Sequence, residues 1–450
     1  MVARELNKPY TLKSLLGYAA PTIAVMLFVS IYTMVDGIFV ARYVNATALS
    51  AINIFLPIYT VIFAIALMIG TGGSAIIAKK MGGENKYEEA RSNFTFIVLC
   101  GIFIGLLISV LGLIFIRPLL EFLGAGSSEQ LFEYTLTYGK IILLFSPFLI
   151  VQMMFENFFV TSGKPKLSLV ITLFGGIVNI VLDYFFIVIL DMEIKGAAIA
   201  TVIGIVIPSS IGIAYFILSK NRGLYFVKPR IDGKVFLNTC LNGSSEMVTN
   251  LSSSVVTLAF NLLMLHYIGV DGVAAVTIML YLMMFLTPVF MGGYSVGIAP
   301  IISYKYGSQQ INQLQFIVKK SLFIIGISSF AIVGLSYVLG PVLIEVMVGK
   351  GSNVYSIAID GFRIFCISFL FMGLNIFTSM LFTALSNGKI SAIISFLRTL
   401  VFVLIGLLLL PPLIFGGVKG IWIAIPLAES LSIIVCIYFL IRKRKVYDYF

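Results

Sequence analysis

The sequence predicts an all-α integral membrane protein with 12 transmembrane helices, arranged as two six-helix bundles related by a parallel internal repeat. Three observations predict this fold class: the composition, the number of long apolar segments and a similarity between the two halves. Of the 450 residues, 60% are hydrophobic and 11% are charged. Soluble domains have about 45–50% apolar and about 25% charged residues, and disordered chains need low hydrophobicity. Both classes are therefore excluded.

Twelve apolar segments alternate with short polar breaks along the whole chain. Each reaches the roughly 20 residues that a helix needs to cross a bilayer. Prolines lie inside several of them, and membrane helices tolerate such prolines as kinks. The predicted spans are 14–40, 48–78, 94–116, 135–160, 167–190, 196–219, 237–265, 272–303, 316–340, 355–384, 390–411 and 418–441.

The basic residues fix the orientation of these spans. The net charge is +11, and most Lys and Arg residues lie in the two tails and in the loops after even-numbered spans. The loops after odd-numbered spans contain only Arg42, Arg117, Lys195, Lys350 and Lys419. The positive-inside rule therefore places both termini in the cytoplasm. No basic patch is interleaved with aromatic residues, so we expect no nucleic-acid partner.

The two halves resemble each other at an offset of about 224 residues. Gly70–Asn85 matches Tyr294–Gln310, and KGAAIA at Lys195–Ala200 matches KGIWIA at Lys419–Ala424. Six spans per repeat make both halves run in the same direction, which predicts a substrate path between two parallel bundles. The expected domains are an N-terminal lobe at 1–219, a cytoplasmic linker at 220–236, a C-terminal lobe at 237–441 and a basic tail at 442–450.

The chain has no motif for ATP hydrolysis or covalent catalysis. GxxxxGK[ST] does not occur, and the one GxSxG match, GYSVG at Gly293–Gly297, lies inside a predicted span and not at the strand-to-helix turn that a nucleophile elbow requires. The four cysteines lie far apart inside spans, and His266 has no neighbouring metal ligands in the sequence. We therefore expect a secondary transporter rather than an enzyme, with no cofactor other than a bound H⁺ or Na⁺.

Polar residues inside spans are costly and need a reason. Counted from the outer ends of their spans at about 1.5 Å per residue, Asp36 and Thr201 lie roughly 9 Å deep and Asp183 roughly 12 Å deep. Asn179 lies one turn deeper than Asp183, on the same helix face. Two carboxylates with amide and hydroxyl oxygens at similar depth predict a binding site for a proton or for Na⁺. We expect no other metal.

The repeat provides a control for this site. At the same offset, the second half has apolar residues: Phe260 for Asp36, Val403 for Asn179 and Leu407 for Asp183. If the polar groups only held a bundle together, the second half would be expected to need equivalents. A role beyond packing is therefore favoured, and hydrogen bonding between helices is the alternative.

The second half has its own polar candidates for substrate binding. Glu246 and Arg398 each lie nine residues inside a span that starts at the cytoplasm, which predicts a buried ion pair or, alternatively, a substrate-facing carboxylate. Glu429 is in mid-span and contacts either cargo or a neighbouring helix. Met284 and Met291 belong to a polarisable stretch that suits promiscuous binding, although such stretches also pack cores or face lipid.

One acidic residue of the first half is expected to have a structural role. Glu156 lies near the cytoplasmic end of span 4, where it is expected to cap a helix or pair with Lys164 or Lys166.

Several segments together resemble the multidrug and toxic compound extrusion (MATE) transporters, of the bacterial branch that includes the DinF and MepA pumps. The resemblance runs from Pro21 to Arg442. The segments that carry it are MVDGIFVARYVNATALSAINIFLPI at Met34–Ile58, GGSAIIAKKMGGEN at Gly72–Asn85, NIVLDYFFI at Asn179–Ile187, KGAAIAT at Lys195–Thr201, GSSEMVTNLSSSVVTLAFN at Gly243–Asn261 and IWIAIPLAES at Ile421–Ser430.

This resemblance implies two six-helix lobes that exchange H⁺ or Na⁺ for cationic or amphipathic drugs. The first-lobe cation site of related pumps uses residues that match Asp36, Asn179, Asp183 and Thr201. Glu246 matches the pattern of this branch, and it lies earlier in its span than the carboxylate of the NorM-type pumps, whose place falls near Ser253.

The sequence therefore predicts a cation-coupled antiporter that exports amphipathic or cationic organic compounds by alternating access, with Pro21 as a hinge in span 1. We expect a monomer in the lipid bilayer of the bacterial cytoplasmic membrane. The alternatives are a dedicated exporter of one metabolite or natural product and a flippase for lipid-linked precursors. A flippase needs a strongly cationic cavity, and away from their ends the spans contain only Lys140, Arg363 and Arg398 as basic residues.

Overall fold

The computed structural model describes residues 6–83, 86–219, 223–287, 291–413 and 417–450, and this part is almost entirely helical, without strands. The all-α fold class is confirmed. The α-helices are α1 Leu12–Tyr43, α2 Ala46–Gly82, α3 Tyr87–Phe122, α4 Glu129–Leu144, α5 Ser146–Thr161, α6 Pro165–Asp183, α7 Glu193–Leu218, α8 Gly233–Tyr267, α9 Val270–Thr287, α10 Gly293–Gly307, α11 Ile311–Val348, α12 Asn353–Phe365, α13 Phe369–Ala384, α14 Gly388–Phe396, α15 Phe402–Leu413 and α16 Val418–Tyr447.

The helices follow the predicted spans in order. Within the described residues, 10 helical segments are long and apolar enough to cross a membrane, and α4 with α5 forms an eleventh that is bent by 55°. Span 8 comprises α9, which is a shorter apolar helix, and α10. Most helices extend beyond the predicted ends because the helical backbone continues past the apolar stretch into polar residues.

The bend in span 4 has a local cause. Proline cannot donate a backbone hydrogen bond and disfavours helical geometry in the residue before it, and Pro147 lies at the start of α5. The hydroxyl of Ser146 donates to the Gly105 carbonyl of α3 at 3.1 Å. A Cβ on Gly105 would lie 2.5 Å from the Cα of Pro147, so this glycine lets α3 pack directly against the bend.

A π-helical turn interrupts the same span in each repeat. Tyr184–Ile189 continues α6 in span 5, and Leu397–Val401 joins α14 to α15 in span 11. Asp183 is the last residue before the first turn, and Arg398 lies within the second. π-Turns occur frequently at functional sites. Each of these two turns changes the helical geometry at or next to a polar residue, Asp183 in the first and Arg398 in the second.

The chain divides into two compact units with boundaries that differ from the expected ones at 219 and 237. The first unit contains Ala24–Gly243, and the second contains Pro9–Ile23 with Ser244–Phe450. Helices α1 and α8, which correspond in the repeat, therefore each contribute to both units. The first part of α8, up to Gly243, belongs to the first unit because it packs closely against α2. A Cβ on Gly72 of α2 would lie 2.0 Å from the Thr239 carbonyl oxygen.

The expected linker is attached to the first unit along its described part. The Arg91 Nε of α3 donates to the Gly223 carbonyl at 2.8 Å, and the guanidinium carbon lies 4.3 Å from the ring centroid of Tyr225. The backbone N–H of Val227 donates to the Thr95 hydroxyl at 3.1 Å. Helix α8 then begins at Gly233, four residues before the expected start of the C-terminal lobe.

The expected tail at 442–450 is helical up to Tyr447, because α16 continues past the end of the apolar span. The last residues pack onto the second unit. Tyr449 is fully buried, and its hydroxyl donates to the Leu440 carbonyl at 2.9 Å. The Gln315 amide donates to the carbonyl oxygens of Asp448 and Phe450.

The glycine contact between α2 and α8 predicts a stability effect. A Cβ on Gly243 would lie 1.9 Å from the Met68 carbonyl oxygen, so Gly72→Ala and Gly243→Ala should each destabilise the protein by about 1–3 kcal/mol through overpacking. Thermal unfolding in detergent measures this effect. Gly326→Ala is the control, because a Cβ there meets nothing within 4 Å. Equal melting temperatures for the three variants would contradict the prediction.

Candidate functional site

The site in the first unit is built where α1 and α6 pack together. A Cβ on Gly176 of α6 would lie 2.4 Å from the ring of Phe28 on α1, so the glycine permits close approach of the two helices. Asp36 follows Phe28 by eight residues, and Asp183 follows Gly176 by seven. Since both spans are predicted to run in the same direction, this contact brings the two carboxylates to the same level at about 1.5 Å per residue.

Asp36 and Asp183 interact directly through their carboxyl groups. Asp183 is fully buried, and neither of its carboxylate oxygens has a hydrogen-bond partner with standard geometry. The Asp36 Oδ1 is buried and unpartnered as well. Buried polar atoms in proteins are nearly always paired, so these three oxygens form an acceptor set that suits a proton or a small cation.

Asn179 and Thr201 border the carboxylates, as predicted for their depths. Asn179 is buried one turn before Asp183, and its Nδ2 has no hydrogen-bond partner. Gly204 of α7 permits the close approach of α6 to α7, because a Cβ there would lie 2.9 Å from the Cβ of Asn179. The Thr201 hydroxyl donates to the Ala197 carbonyl at 2.9 Å, so its oxygen can still accept a hydrogen bond or coordinate a cation.

Two tyrosines belong to the same cluster and were missed from the sequence. Tyr138 of α4 is buried, its hydroxyl lies beside that of Thr201, and it lies within electrostatic range of both aspartates. Tyr59 of α2 lies within electrostatic range of Asp36. The repeat could have identified Tyr138, because Phe362 stands at the corresponding position of the second half and lacks the hydroxyl.

The corresponding positions of the second unit form part of its hydrophobic core. Asp36, Asn179, Asp183, Thr201 and Tyr138 correspond at the repeat offset to Phe260, Val403, Leu407, Ile425 and Phe362. All five of these apolar residues are buried in one cluster. The fold can therefore fill this place with apolar side chains, and packing alone does not require the polar cluster of the first unit.

The chemistry of the first-unit cluster is that of hard oxygen ligands. Carboxylate, hydroxyl and amide oxygens bind H⁺ or hard cations and not soft metals. Among the described residues, no group of three or more His, Cys, Asp or Glu side chains gathers in one place. The two carboxylates of the cluster can share one positive charge, and the cluster contains no nucleophile paired with a base.

The second unit contains a buried ion pair, but its partners differ from the predicted ones. The Arg398 Nη1 donates to the Glu429 Oε1 at 3.0 Å, and both side chains are buried. Asn375 donates to the Glu429 Oε2 at 2.7 Å and to its carbonyl oxygen at 2.9 Å. The predicted pair between Glu246 and Arg398 is therefore wrong. Helix α16 and the π-turn bring Glu429 to the Arg398 guanidinium. The prediction relied on depth in the membrane, which did not distinguish Glu246 from Glu429 as the partner.

Glu246 lies within electrostatic range of Arg398, but among the described residues its carboxylate makes no ion pair within 4 Å. The Arg398 Nε is buried and has no hydrogen-bond partner. Of these two acids, Glu429 is therefore neutralised by Arg398, and Glu246 has no direct counter-charge among the described residues.

Buried hydroxyl groups connect α8, α13 and α14 in the same unit. The Ser379 Oγ lies 2.9 Å from the Ser391 Oγ and 3.0 Å from the Ser395 Oγ, and the Thr383 Oγ1 lies 2.7 Å from Ser391 and 3.3 Å from Ser245. Small hydroxyl residues allow membrane helices to approach closely and to form hydrogen bonds across the interface. These contacts account for the polar residues at this helix junction by packing.

The remaining predicted residues lie in different places. Met291 is fully buried in the core of the second unit, and its Sδ would lie 3.1 Å from a Cβ on Gly373. The side chain of Met284 lies outside the described part of the chain. Pro21 is buried inside α1, two residues before the point where that helix changes unit.

Glu156 does not make the expected ion pair. Its Oε1 accepts hydrogen bonds from the Thr172 hydroxyl at 3.2 Å and from the Gln152 amide at 3.4 Å. In the described residues, the ion pairs within 4 Å involve other acids, so the expectation that Glu156 pairs with Lys164 or Lys166 is wrong.

The MatE family model matches the chain twice, over residues 21–185 and 247–408. The two matches cover most of the chain, one in each half, and their spacing agrees with the internal repeat. The chain belongs to the MatE family. It is therefore a multi-pass membrane transporter and not an enzyme, and the resemblance inferred from its sequence segments is confirmed.

Curated relatives and solved structures agree with this assignment. The chain is 24% identical over 448 residues to the multidrug export protein MepA of Staphylococcus saprophyticus, covering 98% of this chain and 96% of that protein. It superposes with a TM-score of 0.91, at 20% identity, on an outward-facing multidrug resistance MATE transporter of the MOP superfamily, covering 99% and 98% of the two chains. A Pyrococcus furiosus transporter of that superfamily, described by the reverse polarity of its binding pocket, gives a TM-score of 0.89 at 21% identity, covering 98% and 97%.

The ion pair of the second unit predicts unequal effects of removing its charges. Arg398→Ala leaves the Glu429 carboxylate buried without a cation, which should cost about 3–5 kcal/mol of stability. Glu246→Gln removes a carboxylate that makes no ion pair and should change the melting temperature far less. Thermal unfolding in detergent tests both variants. A larger loss for Glu246→Gln than for Arg398→Ala would overturn the assignment of the pair.

Proposed function

We propose that this transporter exports amphipathic or cationic organic compounds in exchange for H⁺ or Na⁺, which binds at Asp36 and Asp183. The family assignment and the name of the MepA relatives support multidrug export. We place it as a monomer in the bacterial cytoplasmic membrane, and the distribution of basic residues supports a cytoplasmic position for both termini. No cofactor beyond the coupling ion is needed.

The observation that carries this proposal is the unpartnered acceptor set of the first unit. Three carboxylate oxygens of Asp36 and Asp183 are buried without hydrogen-bond partners, whereas the repeat places apolar core residues at the same positions. A buried carboxylate pair without a cation is unfavourable. Binding one H⁺ or Na⁺ removes this cost, so the site gains free energy by taking up a positive charge.

Neutralisation of the carboxylates is the step that couples ion entry to cargo release. With the pair charged, α1 and α6 are held apart electrostatically at the level of Asp36 and Asp183. When the ion binds, that repulsion disappears and α1 repacks against α6, with Pro21 as the hinge because it lacks one helical hydrogen bond. The altered packing displaces cargo, and the emptied protein returns to load cargo from the cytoplasm.

The basic residues inside the spans favour this proposal over a flippase for lipid-linked precursors. A pyrophosphate headgroup needs several convergent cationic side chains. Lys140 and Arg363 are exposed on their helices, and Arg398 is neutralised by Glu429. A dedicated exporter of one metabolite would use the same coupling site, so the breadth of the substrate range distinguishes it.

Removal of either carboxylate charge should uncouple the transporter. In proteoliposomes, we expect Asp36→Asn and Asp183→Asn to reduce drug-driven ion counterflow to the level of protein-free vesicles, because an amide cannot bind a proton at neutral pH and holds Na⁺ weakly. A pH electrode or dye and a sodium-sensitive dye measure the two ions separately, and imposed gradients of each ion identify the coupling ion.

The matched control is Asp360→Asn, which alters an exposed acidic residue of α12 and should leave counterflow unchanged. Unaltered counterflow in both Asp36→Asn and Asp183→Asn would disprove the coupling site. Size-exclusion profiles and melting temperatures must match those of the unmodified protein.

The hydroxyl of Tyr138 should contribute to ion binding but not to packing. Tyr138→Phe reproduces the residue at the corresponding position of the second unit and keeps the ring contact with Phe55, whose centroid lies 5.7 Å away. Hydrogen bonds to charged groups contribute about 1.5–3 kcal/mol, so the ion concentration for half-maximal exchange should rise roughly tenfold or more. An unchanged ion dependence would exclude the tyrosine from the site.

A further inference from the structure

A small groove opens on the surface of the second unit, between α11 and α12. Residues of both helices line it, and its walls include Tyr337, Pro341, Ile344, Ile359, Phe362 and Arg363. On α11 these residues span seven positions, or roughly 10 Å along the helix axis. Among the described residues that line the groove, Arg363 is the one with a charged side chain.

The base of the groove is fixed by close packing of the two helices. A Cβ on Gly340 of α11 would lie 2.1 Å from the ring of Phe362 on α12, so the glycine permits direct contact there. Phe362 and Ile344 are buried in the core of the second unit. Pro341 follows the contact and lacks the N–H that would donate to the Tyr337 carbonyl. The groove therefore has a preformed apolar floor.

The rim of the groove continues into apolar faces that point away from the core. Val338, Val342 and Val346 are each more than half exposed, and their spacing of four residues places them on one face of α11. Ile367 follows Arg363 by four residues and is exposed as well. In a membrane-spanning protein such faces contact lipid chains, which are as apolar as these side chains. The groove therefore opens towards lipid.

The charge of Arg363 is not neutralised within the described part of the chain. Its side chain is exposed, and Asp360 lies one turn earlier on the same helix, but the ion pairs within 4 Å involve other residues. At the repeat offset, the first unit has the buried Gly139, whose Cβ would lie 2.8 Å from the Phe55 ring. The fold does not require a cation at this place, and a cation inside a span is costly.

The depth of Arg363 suits the phosphate of a lipid headgroup. The helical segment Asn353–Ala384 has 32 residues, or about 48 Å, whereas the hydrocarbon core is about 30 Å thick. When the segment extends equally beyond both surfaces, the Arg363 Cα lies about 6 Å below the nearer one. Helical side chains point towards the helix N-terminus, which here lies at that surface, so the long arginine side chain reaches the headgroup level.

We propose that this groove binds one anionic phospholipid, whose phosphate pairs with the Arg363 guanidinium while one acyl chain lies between α11 and α12. A guanidinium matches phosphate oxygens in a bidentate geometry, and the chain covers the apolar walls. In the predicted orientation the lipid belongs to the outer leaflet. The inference is independent of the proposed export function, because it involves neither the coupling carboxylates nor the cargo.

The test uses full-length, delipidated protein in detergent and two fluorescent lipids with identical chains, phosphatidylglycerol and phosphatidylcholine, each labelled on one acyl chain. Fluorescence anisotropy should show tighter binding of phosphatidylglycerol to the unmodified protein. Arg363→Gln should weaken that binding by about tenfold or more, because it removes a charged hydrogen-bond donor, and should leave phosphatidylcholine binding unchanged. Arg363→Lys should retain part of the preference. Glycerol 3-phosphate, which has no chains, should not displace the labelled lipid at equal concentration.

Thermal unfolding provides a second measurement, since a lipid that binds only the folded protein raises the melting temperature. Phosphatidylglycerol should raise it more in the unmodified protein than in Arg363→Gln. The matched control is Arg117→Gln, which alters an exposed arginine of α3 beside the Phe132 ring and should keep the full preference. Equal binding of both lipids by the unmodified protein, or an undiminished preference in Arg363→Gln, would overturn the inference. Displacement by glycerol 3-phosphate would overturn it too, because the site would then recognise free phosphate.

Discussion

The burial of two carboxylates against each other is the constraint on which the architecture of the first unit depends. Asp36 and Asp183 interact inside an apolar bundle, and among the described residues no cationic side chain forms an ion pair with either of them. Such a pair is stable only when the helices that hold it are fixed by other contacts. The glycine contacts at Gly176 and Gly204 provide that packing, since each brings a neighbouring helix against α6. The polar cluster is thus maintained by close backbone approach and not by compensating charges.

The internal repeat separates what the fold requires from what function requires. Gly73 and Gly297, which correspond at the repeat offset, both lie at close helix contacts, and the π-turns fall in corresponding spans. The polar clusters do not correspond, because the first unit has its cluster where the second has core, and Arg398 corresponds to the exposed Phe174. Helix packing therefore determines the scaffold of both units, while each unit places its charges independently.

The sequence predicted the helical scaffold well, because the scaffold depends on local signals, and the same signals were enough to select the first-unit residues as candidates. Apolar length predicts spans, and depth within a span brought Asp36, Asn179, Asp183 and Thr201 to one level without any knowledge of contacts. Depth could not choose the partner of Arg398, since rotation about each helix axis decides whether Glu246 or Glu429 faces the guanidinium. The unit boundary inside α1 was equally inaccessible, because it follows from contacts between distant segments.

The two units differ in the neighbours that surround their buried acids. In the second unit, Glu429 is neutralised by Arg398 and held by Asn375, so adding a further cation there brings little gain. In the first unit, Glu156 and the aspartate pair have neutral or acidic neighbours, so each gains by binding positive charge from outside the protein. Because like charges in one bundle repel, a cation at either site lowers the cost of the carboxylate at the other and thereby weakens the binding of a second cation.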